Sequence, residues 1–355
     1  MTLVLSNEDI ERLLSPSDCI SLLEQAYLEL DAGRAVTRPR TDCLVDAGDE
    51  VVYSLKTFDA VLPSAGVGVV RINSDLLHWP TTSGGGVRRE KLPRANGEWV
   101  GLVLAFSTQT GEPLAIFPDG VMQRMRVAAT TMLAQRYLVR DDATSLAVIG
   151  TGWQAGAQLS AALASHSFAQ VRVFSPNVER REAFAKQLSE STGVEVVPTN
   201  SAEAVADDAD VILCATSAAS PVVQPDWVRP GVHISTVKLA EMPAAALARL
   251  DLTVVHTNLP SPQVNVATGI RVKELEAADR GAVDVATARA LPQLVDLLSG
   301  RTKGRATAEQ ATCFINNNGL GIQFAPLAAH VYQQAVQRGV GHELPTSWFT
   351  ESVHP

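Results

Sequence analysis

The spacing of apolar residues predicts different architectures for the two parts of the chain that meet near residue 121. In the first part, apolar residues recur at helical spacing from Pro16 to Leu30, between a serine that can cap a helix and a glycine that can end it. Extended segments follow at 51–55 and 67–72, and a hairpin is predicted over 99–117. Residues 81–98 have the glycines and basic residues of a long exposed loop.

In the second part, a long helix from Val121 to about Tyr137 leads into short apolar strands that alternate with helices. The predicted strands are 146–149, 171–174, 194–198, 211–215, 234–237 and 252–256. Such alternation is typical of a parallel sheet covered by helices on both faces, so the predicted fold class is α/β. We expect a Rossmann domain over 126–310, and an α+β domain formed by 1–125 with 311–355, to which the last helix, ending near Gln337, returns.

Composition and charge exclude several functional classes. The chain has 355 residues, 46% of them apolar, and a net charge of −9 without a basic run. We therefore expect neither nucleic acid nor a membrane as a partner. The four cysteines are scattered, no residue cluster has the spacing of a metal site, and the start of the chain lacks the features of a signal peptide, so we expect a cytoplasmic protein without a metal.

A glycine-rich loop, Gly150-Thr151-Gly152-Trp153-Gln154-Ala155, directly follows the strand 146–149 and opens a helix. Gly150 permits a tight turn, Gly152 lets the backbone approach a pyrophosphate, and Ala155 allows close packing of the helix on the strand. The exposed N–H groups at the start of the helix can then bind the anion. This loop predicts a dinucleotide site; the alternative is an ordinary strand–loop–helix connection.

The segment after the second strand indicates which dinucleotide is bound. It reads Ser175-Pro176-Asn177, where domains that bind NAD carry an acidic residue, and Arg180 and Arg181 lie just beyond. Because no carboxylate repels a 2′-phosphate there, we predict NADP(H), with NAD(H) as the alternative. The predicted cofactor contacts after the glycine loop are Ser175, Asn177, Arg180 and Thr216.

Several short motifs occur in a specific order along the chain. They are Arg38-Pro39-Arg40-Thr41, Gly101-Leu102-Val103-Leu104, Gly111-Glu112-Pro113-Leu114-Ala115, Arg126-Val127-Ala128-Ala129, the glycine loop with its preceding Val148-Ile149, and Glu343-Leu344-Pro345. In this order and spacing they resemble the ornithine cyclodeaminase/mu-crystallin family over nearly the whole chain. The resemblance implies a homodimer, formed by the first domain, which also binds the substrate.

The resemblance also implies that Arg40 and Arg126 bind a substrate carboxylate, which suits the fork of a guanidinium. Arg124, two residues before Arg126, is a competing candidate. Asn318, in the run before Gly319, lies where the family approaches the nicotinamide, although asparagines before a glycine are commonly turn residues.

Two departures from the family pattern affect the chemistry. Arg71 stands where the family commonly has a lysine, and a guanidinium does not release a proton near neutral pH. After the strand 234–237, the segment Lys238-Leu239-Ala240-Glu241 has its carboxylate about one position from the aspartate of ornithine cyclodeaminase. Lys238 and Glu241 are thus candidates for acid–base work, with ordinary loop residues as the equal alternative.

Three functions are compatible with these residues. The preferred one is an NAD(P)H-dependent reductase of a small imino acid, or the reverse amino-acid dehydrogenase, with hydride transfer at the α-carbon. The second is a deaminating cyclisation of the ornithine cyclodeaminase type, in which NAD is recycled internally. The third is a dinucleotide- or small-molecule-binding protein without catalysis.

Overall fold

The computed structural model describes residues 1–80, 90–93, 96–218, 220–259, 263–267 and 285–353. Of the basic residues predicted to lie on the loop 81–98, Lys91 is within these ranges, whereas Arg88, Arg89 and Arg94 lie outside them. None of the helices within these ranges is long and apolar enough to span a bilayer.

The strands in the described ranges are β1 (Thr2–Val4), β2 (Val36–Thr37), β3 (Thr41–Asp46), β4 (Val52–Leu62), β5 (Val67–His78), β6 (Glu90–Leu92), β7 (Val100–Ser107), β8 (Pro113–Pro118), β9 (Ser145–Ile149), β10 (Gln170–Phe174), β11 (Val196–Pro198), β12 (Val211–Cys214), β13 (His233–Thr236), β14 (Leu252–Val255), β15 (Gln263–Val266), β16 (Thr312–Ile315) and β17 (His342–Leu344).

The α-helices are α1 (Asn7–Leu13), α2 (Pro16–Asp31), α3 (Gly120–Leu138), α4 (Trp153–Ser165), α5 (Val178–Thr192), α6 (Ala202–Ala206), α7 (Ala244–Leu247), α8 (Val285–Ala290), α9 (Leu294–Leu298) and α10 (Ala325–Arg338). The helix predicted from Pro16 is confirmed as α2. Its start is fixed by Ser15, whose hydroxyl accepts from the backbone N–H of Asp18 while the Asp18 carboxylate accepts from the backbone N–H of Ser15.

The first sheet is mixed and has the strand order β15-β3-β4-β5-β7-β8-β1-β17, with β2 beside β4 and β6 beside β5. The strands β4 and β5 are longer than predicted, and buried and less buried residues alternate strictly along β5. Its buried face carries Arg71, Asn73 and Asp75. Polar residues on a buried face are costly unless they are paired, so this part of the sheet is a candidate site.

The second sheet is parallel throughout and has the order β11-β10-β9-β12-β13-β16-β14. Its inner strands β9, β12, β13 and β16 are buried at every residue, as expected when helices cover both faces of a sheet, whereas β10 and β11 at one edge are partly exposed. The predicted α/β class with a Rossmann-type sheet is confirmed.

The division of the chain between the two sheets differs from the predicted boundaries at two places. Residues 312–315 form β16 inside the parallel sheet, although the boundary at residue 311 assigned them to the first domain. Residues 263–266 form β15 at the edge of the first sheet, beside β3, although they fall within the predicted Rossmann range. Strand partners this distant in sequence leave no mark on local hydrophobic periodicity, which explains both differences.

Two helices connect the sheets. The helix α3 spans the predicted boundary at 125/126 and packs against both α2 and α4. The last helix, α10, returns to the first sheet and packs on β4, β5 and β7, as predicted. Arg126, on α3, is therefore buried where the two halves of the molecule meet.

Candidate functional site

The glycine loop connects β9 to α4 at the carboxyl edge of the parallel sheet. Gly150 has φ 115°, and a Cβ atom there would overlap the carbonyl oxygen of Ala215. Gly152 is the N-cap of α4, and a Cβ atom on it would have nothing within 4 Å. The backbone N–H groups at the start of α4 therefore face open space, which fits a pyrophosphate group. Thr216 lies beside Gly150, and Ala155 is buried where α4 packs on the sheet.

The first turn of α5, which follows the loop after β10, carries one exposed and one buried arginine. The Arg181 guanidinium donates to the Ser175 carbonyl at 3.0 Å and to Asn200 Oδ1 at 3.1 Å, and it is buried. Asn177 caps α5, because its Oδ1 accepts from the backbone N–H of Arg180 at 2.8 Å. Arg181 thus holds the loop together, and Arg180 is the exposed cation beside the predicted ribose position.

The arginines 124 and 126 point to different places. Arg124 forms an ion pair with Glu11, and its guanidinium lies 5.2 Å from the centre of the exposed Trp153 ring, beside the glycine loop. Arg126 is buried, and its guanidinium donates to Gln123 Oε1 at 2.8 Å and to Gln323 Oε1 at 2.7 Å. Both of these partners are neutral. Across the described ranges, no carboxylate lies within ion-pair distance of Arg126.

Arg126 belongs to a cluster of three guanidinium groups. The Phe324 ring centre is 5.5 Å from the guanidinium carbon of Arg126 and also 5.5 Å from that of Arg71. Burial, and then the nearby positive charge of Arg71, lower the pKa of Arg126 to about 9, and Arg40 acts in the same direction. The three predicted arginines are thus brought together, in surroundings that an anion would stabilise.

The other two guanidiniums in the cluster have carboxylate partners. Arg71 donates to Asp119 Oδ2 at 2.5 and 2.8 Å, and Arg40 forms a bidentate pair with Asp42 at 2.7 and 2.8 Å. Asn73 donates to the same Asp119 oxygen at 3.0 Å. Since Arg71 and Arg40 are already neutralised, Arg126 carries the least compensated charge of the cluster.

Sequence reasoning missed a lysine on this face. Lys56, on β4, is buried, pairs with Asp75 Oδ2 at 3.0 Å, and lies opposite Asn73 in the β4–β5 register. Lys91 donates to the other oxygen of Asp75 at 3.0 Å. Burial opposes the effect, but the two ammonium groups lower the pKa of Asp75 overall. The signal was present in the sequence, because alternation along β4 puts Lys56 on the same face as Phe58.

The arginine cluster meets the dinucleotide edge of the parallel sheet at the loop after β16. Asn316 and Asn317 fix this loop: Asn316 Nδ2 donates to the Val127 carbonyl at 3.0 Å, and Asn317 Nδ2 to the Thr257 carbonyl at 2.7 Å. A Cβ atom on Gly319 would lie 2.9 Å from both terminal nitrogens of Arg126. Asn318, the predicted nicotinamide contact, is therefore next to a residue that packs closely on Arg126.

Lys238 and Glu241 follow β13 at the same edge. The Glu241 carboxylate is fully buried and accepts four hydrogen bonds, from the N–H and hydroxyl of Thr216 at 2.8 and 2.7 Å and from the N–H groups of Val237 and Lys238 at 3.0 and 3.2 Å. Burial raises the pKa of Glu241, although the hydrogen bonds from Thr216 act against it. The two bonds from Thr216 tie the loop after β12 to the loop after β13, and the two from Val237 and Lys238 lie within the loop after β13. Lys238 Nζ donates to the Ala218 carbonyl at 3.3 Å.

His233, a titratable residue within the parallel sheet, is enclosed by neighbours that give it a structural role. His233 is buried between the hydroxyls of Thr312 and Ser235, at 2.9 and 2.8 Å, and burial lowers its pKa to about 3. Within the described ranges, no group of three or more histidine, cysteine or acidic residues is arranged to hold a metal ion.

Known proteins share this sequence and architecture. A Delta(1)-pyrroline-2-carboxylate reductase of Bacillus cereus is 26% identical over 349 residues, covering 96% of this chain and 99% of that protein. An alanine dehydrogenase of Archaeoglobus fulgidus is 26% identical over 351 residues, covering 97% and 98%. The solved structure of a Thermococcus litoralis Delta(1)-pyrroline-2-carboxylate reductase, in complex with NADH and L-proline, matches with a TM-score of 0.78 at 26% identity, covering 97% of this chain and all of that one.

The family model described as ornithine cyclodeaminase/mu-crystallin matches residues 1–339. The resemblance inferred from the short motifs is thus confirmed over nearly the whole chain, and these relatives are reductases and dehydrogenases rather than binding proteins. The chain belongs to the ornithine cyclodeaminase/mu-crystallin family.

Proposed function

We propose that this protein is an NAD(P)H-dependent reductase of a small imino acid that carries an α-carboxylate, or works in reverse as the amino-acid dehydrogenase. One observation carries the proposal: the buried Arg126, whose polar partners at the guanidinium are the neutral Gln123 and Gln323, lies against the loop at the dinucleotide edge of the parallel sheet. A carboxylate that neutralised Arg126 would hold its own α-carbon beside that edge.

Different residues of the chain would bind the cofactor and the substrate. Gly150, Gly152 and the start of α4 would hold the pyrophosphate, and Thr216 and Asn318 would line the cofactor beyond it. Arg126, supported by Arg40 and Arg71, would bind and orient the substrate carboxylate. The reduced nicotinamide, when bound, supplies a hydride to the carbon of the C=N bond. The electron pair of the C=N double bond then moves to nitrogen, which takes up a proton, so that an imine becomes an amine.

Two ammonium groups are candidates for supplying that proton. Lys56 lies on the buried face that carries Arg71, and Lys238 lies at the dinucleotide edge. We propose the lysines rather than Glu241 for this role, because four hydrogen bonds already occupy the Glu241 carboxylate. Replacing the proton donor with methionine should remove one limb of the pH profile of kcat, and replacing the other lysine should not.

The substrate to test first is a five-membered cyclic imine with a carboxylate on the imine carbon. It is the substrate named for the Bacillus cereus and Thermococcus litoralis relatives, and the second of these was solved with L-proline. The chain also resembles an alanine dehydrogenase, so linear imino acids belong in the same panel.

For the cofactor we propose NADP(H), with Arg180 as the residue that contacts the 2′-phosphate. Two observations support this: Ser175-Pro176-Asn177 brings no carboxylate to the end of β10, and Arg180 is exposed. Because Arg181 is occupied by Ser175 and Asn200, the preference would depend on one arginine instead of two.

We also propose that the chain forms a homodimer through the outer face of the first sheet. Along β4 and β7 this face exposes Leu55, Val61, Val100 and Leu102, each 37–43% accessible. Less buried apolar residues of β5, such as Ile72, continue the same face between these strands. Contiguous apolar surface of this kind on a sheet is characteristic of a protein–protein interface.

A cofactor-oxidation assay tests the proposed activity. The purified protein is given NADPH or NADH with Delta(1)-pyrroline-2-carboxylate and with linear imino acids, and absorbance at the nicotinamide wavelength is followed. Oxidation of the cofactor in proportion to amine formed supports a reductase. If no cofactor is oxidised while ornithine yields proline and ammonia, the protein is a cyclodeaminase and the proposal is wrong.

The Arg126→Gln variant tests the binding role separately from turnover. Loss of the guanidinium should lower kcat/KM by about a hundredfold or more, because a charge-assisted bidentate contact is lost. The cofactor dissociation constant should change far less. Arg124→Gln is the matched control, since Arg124 pairs with Glu11 outside the cluster. Equal losses in the two variants would remove Arg126 from the substrate site.

A further inference from the structure

A chain of buried side chains joins Arg126 to the loop that carries Asn318. From Gln323, which accepts from Arg126, the amide nitrogen donates to Thr130 Oγ1 at 2.8 Å. Thr130 Oγ1 lies 3.1 Å from the Tyr27 hydroxyl, and that hydroxyl lies 2.7 Å from His256 Nε2. Every one of these side chains is buried.

The last bond of the chain fixes which ring nitrogen of His256 carries the proton. Burial lowers the pKa of His256 to about 3, so the ring is neutral and has one N–H group. His256 Nδ1 lies 2.6 Å from the carbonyl oxygen of Asn318, which only accepts. The proton is therefore on Nδ1, and Nε2 must accept from Tyr27.

The orientation of Gln323 is fixed as well. Its Oε1 accepts from the guanidinium of Arg126 and from the backbone N–H of Leu320 at 2.9 Å, which leaves its amide nitrogen facing Thr130. Donors therefore point in one direction, from Arg126 through Gln323 to Thr130 and from Tyr27 through His256 to Asn318. The Thr130 hydroxyl can complete the series by donating to Tyr27, and its alternative acceptor is the Arg126 carbonyl at 2.8 Å.

The two ends of this series meet at one loop. His256 binds the carbonyl of Asn318, and a Cβ atom on the next residue, Gly319, would lie 2.9 Å from both terminal nitrogens of Arg126. The elements that contribute are α2 and α3 at one end and the carboxyl ends of β14 and β16 at the other. A series of hydrogen bonds thus crosses from the arginine cluster to the parallel sheet, and the backbone of residues 318–319 returns to Arg126 by close packing.

We propose that Tyr27, Thr130 and His256 are positioning residues, which couple the orientation of the Arg126 guanidinium to the position of the Asn318 loop. This inference rests on the proposed role of Arg126 and adds residues that touch neither substrate nor cofactor. Anchoring of the carboxylate and placement of the nicotinamide contact are then set by one network. Buried networks in which every member is satisfied specify a single geometry.

The test is a double-mutant cycle between Tyr27→Phe and Arg126→Lys, with kcat/KM and the cofactor dissociation constant as readouts. Tyr27→Phe removes only the hydroxyl that joins Thr130 to His256. We expect kcat/KM to fall about tenfold or more and the dissociation constant of NADPH to rise about fivefold. In the Arg126→Lys background, the same substitution should change kcat/KM less than about threefold.

The control is Tyr332→Phe, on α10, which should change neither readout by more than about twofold. Thr130→Val cuts the series one step earlier with little change of shape, and it replaces Tyr27→Phe if that variant does not fold. Additive losses in the cycle, or a lowered Tm with unchanged kinetics, would show a structural role only and overturn the proposal.

The two proposals fail in different ways. If the wild-type protein turns over no imino acid, the proposed activity is wrong. The proposed coupling through Tyr27, Thr130 and His256 is then tested by NADPH binding alone. A Tyr27→Phe variant that binds NADPH as tightly as wild type would in that case reject the coupling.

Discussion

Among individual residues, the glycine at position 319 allows the loop after β16 to pack closely on Arg126. A Cβ atom there would lie 2.9 Å from both terminal nitrogens of Arg126, which is closer than side chains ordinarily approach. The guanidinium is buried against the Phe324 ring and has little room to retreat. The distance between the loop and the arginine is therefore set by the absence of a side chain.

We predict that Gly319→Ala raises the KM for the imino acid about tenfold or more, because Arg126 must shift from the position that binds the carboxylate. The expected effect on cofactor affinity is smaller. Steady-state kinetics with each substrate varied in turn measure both quantities. Gly156→Ala is the control, since its Cβ would meet only Phe184 at 3.6 Å, an ordinary contact.

Glu241 allows a test between a structural and a catalytic role. In Glu241→Gln, an NH₂ group replaces an oxygen that accepts two hydrogen bonds, so two buried donors lose their acceptor. We predict a loss of about 2–4 kcal/mol in the free energy of unfolding, measured by urea denaturation. A variant with wild-type stability and strongly reduced kcat would instead show that Glu241 acts in catalysis.

At the scale of elements, the turn from β10 into α5 carries the proposed choice between the two dinucleotides. We predict that Arg180→Ser lowers kcat/KM with NADPH about tenfold and leaves kcat/KM with NADH within about twofold, because only NADPH carries the 2′-phosphate. Lys186→Ser, on the same helix and 78% exposed at its side chain, is the control for a general loss of positive charge. Equal effects on both cofactors would exclude Arg180 as the discriminating residue.

Local sequence patterns predicted the elements with strong periodicity and missed those defined by distant partners. The helix α2 and the hairpin of β7 and β8 were predicted closely, because caps and turn residues mark their ends. The strand β16 was missed, since its four residues precede a run of asparagines and glycine that reads as a turn. The same limit applies to the site: Arg126 was predicted as a site residue from its motif, but the side chains that join it to His256 are neighbours only in three dimensions.

At the scale of the whole molecule, two buried histidines make stability depend on pH. Burial lowers the pKa of both His233 and His256 to about 3, whereas an unfolded histidine has a pKa near 6.5. Below about pH 6.5 the unfolded state binds protons that the folded state does not, so the free energy of unfolding decreases as the pH falls. Above about pH 6.5 the contribution of these two histidines to stability is fully present.

We predict that the free energy of unfolding decreases by about 1.4 kcal/mol per pH unit for each of these histidines between about pH 6 and pH 4. Urea denaturation at a series of pH values measures the slope. His233→Asn should reduce the slope even though it lowers stability at neutral pH, and the exposed His342→Asn should not. An unchanged slope in His233→Asn would contradict the prediction.

The proposed dimer also belongs to this scale. We predict that Leu102→Glu, on the exposed apolar face of the first sheet, halves the molar mass in sedimentation experiments, because it buries a charge in the interface. Val336→Glu introduces the same charge at an exposed position of α10 and should leave the mass unchanged. A monomeric wild-type protein would reject the interface itself.

The position of β16 has a consequence for the order in which the protein folds during synthesis. This strand lies between β13 and β14, so the parallel sheet stays open until residue 315 has left the ribosome. One edge of the first sheet is completed even later, because β1 pairs with β17 at residues 342–344. Two unfinished sheets expose strand edges through most of translation, and we expect the nascent chain to depend on chaperones until its last segment emerges.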